Sequence, residues 1–277
     1  MTDEQEKTVA KIQPRVYLNG FPKSGLHRVL LLARCYCEPA IDGRAWAGTF
    51  AGNAWTTTWQ PDEAIYSKLA QLKDGTFLRG HCGYRADIDD FLYRMGAGCV
   101  FVYRDLRDVL VSQAYHWRSA DRENLSHPEK ELFAELSFEE TMIACLEGIQ
   151  GDRYTYGSLR ERWEQYAPWL DVPWVLKARF ERTLREPLEF AADFVQHIYT
   201  RYAESRGHVI EMTREALLAE AKVVAPAMDD PAKRSLTFRK GVAGQWRNEF
   251  TPYVTRLFKA QLGDWLVRLG YEEGEDW

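Results

Sequence analysis

The chain has 277 residues, 45% of them hydrophobic and 13% aromatic, enough for one large core or at most two modest domains. Its 36 Lys and Arg stand against 41 Asp and Glu, a net charge of −5, which argues against a general nucleic-acid binder; any anion site must come from local clustering of cations. No apolar run approaches the roughly 20 residues that span a bilayer. The N-terminal MTDEQEKTVAKIQ has no apolar secretory region. Cys35, Cys37, Cys82, Cys99 and Cys145 show no zinc-like spacing and read as free thiols. The expectation is a soluble cytoplasmic protein with no membrane or nucleic-acid partner.

No repeat or linker interrupts the chain, so a single domain over residues 1–277 is expected, with 1–14 as a flexible N-terminal extension. RVYLNG from Arg15 is the first continuous apolar run of the kind that forms a strand buried on both faces. A Gly-Phe-Pro-Lys-Ser-Gly turn follows, and then a helix starting at about Ser24. WAGTFAGNAWTTTW packs Trp46, Phe50, Trp55 and Trp59 among glycines and threonines, either a stacking surface for a flat acceptor or a core strand pair. TFLRGH from Thr76 and CVFVYR from Cys99 are the next strands. Leu106, Val109, Leu110, Ala114 and Trp117 then follow helical spacing. QGDRYTYGS, with Tyr154 and Tyr156, has the composition of a mobile loop over an acceptor. WVLKAR from Trp174 is the fourth strand, and a helix after Pro187 carries the stripe Leu188, Ala191, Phe194, Val195, Ile198 and Tyr202. The last helix has Thr251 as cap, Pro252 in its first turn and Gly270 at its end. Strands alternating with helices predict an α/β three-layer sandwich, P-loop-like, with a central, mostly parallel sheet and ligands at the carboxyl ends of its strands.

Three separated pieces have the chemistry of one anion site. In the first, Lys23, Ser24 and Gly25 precede a helix N-terminus that favours negative charge. The spelling differs from the nucleotide triphosphatase loop, because Lys23 comes before Gly25 rather than after it. In the second, Arg104 ends a strand, and Asp108 and Ser112 lie four apart on one face of the following helix. Arg104 and Ser112 could converge on a phosphate as a donor fork and a hydroxyl. In the third, Arg239 and Lys240 sit beside Gly241 and Gly244, with Trp246 and Arg247 next. Flexible glycines with adjacent cations suit a lid over a polyanion.

In order and spacing, FPKSG, YRDLRDVLVSQAYHW and RKGVAGQWRNEFT resemble the signature segments of the cytosolic sulfotransferase family, from about Val16 to Tyr271. Members move a sulfuryl group from 3′-phosphoadenosine 5′-phosphosulfate (PAPS) and release 3′-phosphoadenosine 5′-phosphate (PAP). The resemblance implies that Lys23, Ser24 and Gly25 grip the 5′-phosphosulfate. It also implies that Arg104 and Ser112 hold the 3′-phosphate with Arg239, Lys240 and Gly241, and that Phe180 lies near the adenine. His81, in a segment resembling the family's Lys-x-His with Arg79 as the cation, is implied as the base that takes the acceptor's proton. Where the family's loop usually continues Thr-Thr-Trp, this chain has Leu26, His27 and Arg28, so backbone N–H groups, His27 and Arg28 are the expected substitutes. The usual Gly-Asp-Trp-Lys is Gly244-Gln245-Trp246-Arg247, and the dimer segment keeps Thr251 but reads Pro252 and Arg256, which leaves a homodimer open.

Transfer is then expected to run in line through a loose transition state, with Lys23 and the helix end stabilising charge on the leaving phosphate. Sulfuryl carries less charge than a γ-phosphoryl group, so no metal is expected. The acceptor is expected to be a small molecule with a hydroxyl, or an amine or guanidine nitrogen, contacted by Arg79, Tyr84, Trp55 and Trp117. A P-loop small-molecule kinase and a non-catalytic nucleotide-binding module are the competing readings.

Overall fold

The structure, a computed structural model, describes residues 12–40, 49–52, 62–118, 130–150, 155–230, 241–274 and 276–277. Trp46, Trp55, Trp59, Tyr154, Arg239 and Lys240 lie outside the described residues.

The strands are β1 (Val16–Gly20), β2 (Glu38–Pro39), β3 (Thr49–Gly52), β4 (Thr76–Cys82), β5 (Gly98–Tyr103), β6 (Ile149–Gln150), β7 (Thr155–Tyr156) and β8 (Leu176–Arg179). The helices are α1 (Leu26–Ala33), α2 (Asp62–Leu69), α3 (Ala86–Arg94), α4 (Leu106–Arg118), α5 (Lys130–Glu135), α6 (Phe138–Glu147), α7 (Leu159–Glu164), α8 (Phe180–Arg185), α9 (Pro187–Glu204), α10 (Arg214–Val224), α11 (Trp246–Glu249) and α12 (Pro252–Arg268). The main sheet runs β4-β1-β5-β8, all pairs parallel, with β2 and β3 each pairing a different part of β4's outer edge. The four apolar runs of the sequence are thus β1, β4, β5 and β8, with β8 at the sheet's edge. Because β1 pairs with β4 on one side and β5 on the other, its carboxyl end opens between them, where α/β sheets bind ligands.

Alternation along each strand sends neighbours to opposite faces. Tyr17, Leu78, Cys99 and Phe101 join one buried cluster with residues of α4, α6, α7 and α12. Val16, Leu18, Phe77, Val100, Val102 and Ala178 join the other with residues of α1, α9 and α10. Three layers result. The last helix ends as its sequence predicts, with the Thr251 side chain accepting from Val254 N and Gly270 at φ 67.

Two expectations change. Residues 12–14, read as part of a flexible extension, pack into the fold: Ile12 is buried, Gln13 O accepts from Gly75 N, and Pro14 O accepts from Cys37 Sγ. The apolar Ile12, inside a charged stretch, has this packing to fill. Tyr156, read as part of a mobile loop, is buried on β7, which pairs antiparallel with β6. Its ring centroid lies 5.0 Å from that of Trp117, so aromatic packing sets its place.

Candidate active site

The chain turns from β1 into α1 through Phe21, Pro22, Lys23, Ser24 and Gly25. Phe21 N donates to Val102 O at 3.1 Å, Ser24 N to Phe21 O at 3.1 Å, and Arg28 N to Gly25 O at 3.0 Å. The helix starts at Leu26, two residues later than its sequence suggests, because Gly25 serves as N-cap with φ 88. Lys23 has φ 70, a left-handed conformation that a non-glycine residue keeps only where its surroundings hold it. Space is tight as well. A Cβ on Gly20 would lie 3.1 Å from Val102 O, and one on Gly25 only 2.3 Å from Phe180 Cδ2. Ser24 is 1% exposed, and its Oγ has no hydrogen-bond partner. An orphaned hydroxyl at a helix N-terminus is where an anion fits. The Leu26 side chain is buried in the core, so only its backbone N–H is turned to this site.

On the β4 side of the turn, Arg79 and His81 fall on the same sheet face as Phe77, two and four residues beyond it. His81 Nδ1 is 2.7 Å from Gly20 O. A carbonyl only accepts, so Nδ1 carries the proton and Nε2 keeps its lone pair. Burial, reinforced by Arg79 and Lys23, lowers the His81 pKa to about 4 against the pull of that hydrogen bond, so the ring is neutral at pH 7. Arg79 Nη1 lies 3.3 Å from His27 Nδ1. A guanidinium only donates, which puts the His27 proton on Nε2. Burial, then Arg79, His81 and Lys23, lower the His27 pKa to about 3. Lys23, Arg79 and His27 therefore offer donors, and His81 Nε2 offers a base. The end of β4 is rigid: the Asn19 amide pairs with Cys82 N and O at 2.9 and 2.8 Å, and the Tyr166 hydroxyl donates to His81 O at 3.1 Å.

On the β5 and β8 side, Arg104 and Phe180 continue the face of Val102 and Ala178. The Arg104 guanidinium carbon sits 4.5 Å from the Phe180 ring centroid. Its Nη2 donates to Asp108 Oδ2 at 3.0 Å and to Val242 O at 2.6 Å, whereas its buried Nε has no partner. Asp108 also accepts from Gly244 N at 2.7 Å and Trp246 N at 3.1 Å, which fastens the glycine-rich third segment to the first turn of α4. Gly241 and Gly244 have φ 62 and 79, as such a loop requires. Ser112 is half-buried one turn beyond Asp108. The fastening role of Asp108 escaped the sequence reading; an acid in a helix's first turn, followed by a distant glycine loop, was its only trace.

Three expected contacts are directed elsewhere. Arg28 donates to Thr183 O at 3.0 Å and Asp229 Oδ2 at 3.0 Å, and also to Met228 O at 3.3 Å, so its guanidinium ties α1 to α8 and to the turn at Ala225–Asp229. Trp117 is 2% exposed, packed between Phe133 and Tyr156 as a core residue. Tyr84 packs edge-on against Trp169, and its hydroxyl reaches Asp89 at 3.3 Å. The acceptor residue Trp55 and the cations Arg239 and Lys240 lie outside the described residues.

A sulfotransferase domain family matches residues 68–270, most of the chain. This chain belongs to the sulfotransferase family. That match takes in His81, Arg104, Ser112, Phe180 and the glycine loop, and begins after the Lys23 turn. The kinase reading gives way to it. A flavonol 3-sulfotransferase of Flaveria bidentis is 27% identical over 180 residues, covering 59% of this chain and 54% of the relative. The match thus spans about half the length of that curated relative. Among solved structures, a mouse sulfotransferase complexed with PAP superposes with TM-score 0.54 at 18% identity, covering 91% of this chain and 85% of that one. A retinol dehydratase in complex with retinol and PAP gives 0.52 at 15%, covering 92% and 82%. At these identities the two structures establish the shared fold. No helix among the described residues is long and apolar enough to cross a membrane.

Proposed function

We propose that this chain is a cytoplasmic enzyme that transfers a sulfuryl group from PAPS to the hydroxyl of a small-molecule acceptor, with His81 as general base. An amine or guanidine nitrogen is the second acceptor class. The observation that carries this reading is the His81 ring, anchored through Nδ1 to Gly20 O with Nε2 left basic among the donors of Lys23, Arg79 and His27. The orphaned Ser24 Oγ and Arg104 Nε fit a ligand with two separate anionic groups, and the space denied to side chains at Gly20 and Gly25 fits a backbone that closes on one of them. Both solved relatives named above were complexed with PAP.

When bound, PAPS supplies a sulfuryl group activated by its anhydride link to phosphate. Ser24, Lys23, His27 and the first-turn N–H groups of α1 hold the 5′ end and offset negative charge where the leaving phosphate forms; one such preorganised donor is worth about 3 kcal/mol. Arg104, Ser112 and Gly241, with Arg239 and Lys240, hold the 3′-phosphate. Phe180, packed on Gly25, borders the nucleoside. His81 Nε2 takes the acceptor's proton, and Nδ1 stays fixed on Gly20 O, so the imidazolium forms without the ring turning.

The test is a transfer assay with labelled PAPS over an acceptor panel, run beside PAP calorimetry. His81→Ala is expected to bind PAP as the parent does and to lose about 10²- to 10⁴-fold in turnover. In the parent, kcat/KM should stay level through neutral pH and fall only as pH approaches about 4. Unchanged turnover in His81→Ala removes the base from the mechanism. PAP binding without transfer to any acceptor favours the binding-module reading.

A further inference from the structure

Three segments meet on the nucleotide side of the site, and Gly270, Tyr271, Glu272 and Trp277 between them touch all three. At the first, Arg179 and Glu181 flank Phe180. The Arg179 guanidinium carbon lies 3.8 Å from the Tyr271 ring centroid, Arg179 Nη2 donates to Gly270 O at 3.3 Å, and the Tyr271 hydroxyl donates to Glu181 Oε2 at 2.7 Å. At the second, Glu181 Oε1 accepts from the backbone N–H of Asp105, the residue after Arg104, at 3.2 Å, and Glu272 pairs with Arg107. At the third, Trp277 meets Trp246 edge-on with centroids 5.5 Å apart. In the corner that those two indoles form lies the Arg107 guanidinium, 3.9 Å from the Trp246 centroid and 4.4 Å from that of Trp277, with the Asp105 and Glu272 carboxylates also on it. Arg107 is 2% exposed. A planar cation closed in by two rings and two carboxylates cannot shift without moving all four.

We propose that Trp277 is a positioning residue for the nucleotide site. Its ring, edge-on to Trp246, closes the aromatic corner on Arg107, which holds Trp246. That contact keeps the N–H groups of Trp246 and Gly244 on Asp108, and Asp108 in turn fixes the guanidinium of Arg104. Tyr271 and Glu272 anchor the same stretch to the Phe180 and Arg104 segments. The ligand's identity rests on the sulfotransferase reading; the latch does not.

The latch is tested first without ligand, by hydrogen exchange at the Gly244 and Trp246 amides. Losing the ring contact in Trp277→Ala should speed both by about tenfold, and Trp277→Phe should keep most of the protection. With ligand, Trp277→Ala should weaken PAP about tenfold and raise the KM for PAPS by a similar factor, with kcat and the acceptor KM held; Trp277→Phe should restore both. Should Trp277→Ala fail to fold, Glu272→Gln, which keeps shape and removes the Arg107 ion pair, is expected to shift exchange and PAP affinity the same way by a smaller factor. A lower melting temperature with unchanged exchange and PAP affinity overturns the proposal and reduces Trp277 to packing. Faster exchange in Trp277→Ala from a parent that binds no PAP supports the latch and overturns the nucleotide reading.

Discussion

At the scale of single residues, Gly25 shows how little freedom the loop has. Its φ of 88 is a left-handed conformation, and the Phe180 ring occupies the place of any Cβ. Gly25→Ala therefore meets backbone strain and a clash together, about 3 kcal/mol in all. Urea unfolding should show that loss, and PAP affinity should fall with it; an alanine variant as stable as the parent would mean that Phe180 is free to move away. That glycine was legible in the sequence as a turn residue, because left-handed backbone there favours that residue type. His81 was legible too, as a histidine at a strand end, although its basic nitrogen became known only with the Gly20 contact. Arg28 was misread. Its partners Thr183 and Asp229 lie 155 and 201 residues away, and nothing near Arg28 in the chain announces them.

Elements explain the same contrast. The central strands were legible because a parallel strand covered on both faces must be apolar throughout, which singles it out in a chain of ordinary composition. How two elements lock together was not, because that depends on one side chain meeting a distant backbone. Asp108 is the case in point, with no exposed side-chain surface and bonds to Arg104, Gly244 and Trp246. Asp108→Ala leaves Arg104 buried without its carboxylate and frees two N–H groups of the loop, an expected loss of about 3 kcal/mol. Adding Arg104→Met should recover much of it, since the stranded charge goes too. If the two losses instead simply add in urea unfolding, the pair is not coupled and the loop is held by something else.

For the molecule as a whole, the sheet order lays out the proposed site: His81 on β4, the Lys23 turn after β1, Arg104 after β5 and Phe180 after β8. Each group stands at a carboxyl end on the face covered by α1 and α9, so imidazoles come to lie inside the fold. This has a consequence for acid stability. His197 on α9 donates from Nε2 to Cys99 O at 2.9 Å, and burial lowers its pKa to about 4 despite that bond. His81 and His27 are lowered in the same way, to about 4 and about 3. A free imidazole titrates near 6.5, so between that pH and about 4 the unfolded chain binds protons that the folded chain refuses. Stability therefore falls as pH drops through this window, on the order of 3 kcal/mol for each imidazole held at about 4, and these groups cause no further loss below their folded pKa values. Asp87, kept at about 2 chiefly by its hydrogen bond from Arg85, loses its contribution only below about 4 and does not shape this slope. His197→Gln separates the cause from general acid sensitivity, because the amide can still donate to Cys99 O but does not titrate. The urea midpoint of the variant should decline less steeply from pH 6.5 to 4 than that of the parent, with transfer activity at neutral pH unchanged. Parallel declines would show that His197 is protonated in the folded state and that the α9 face admits water.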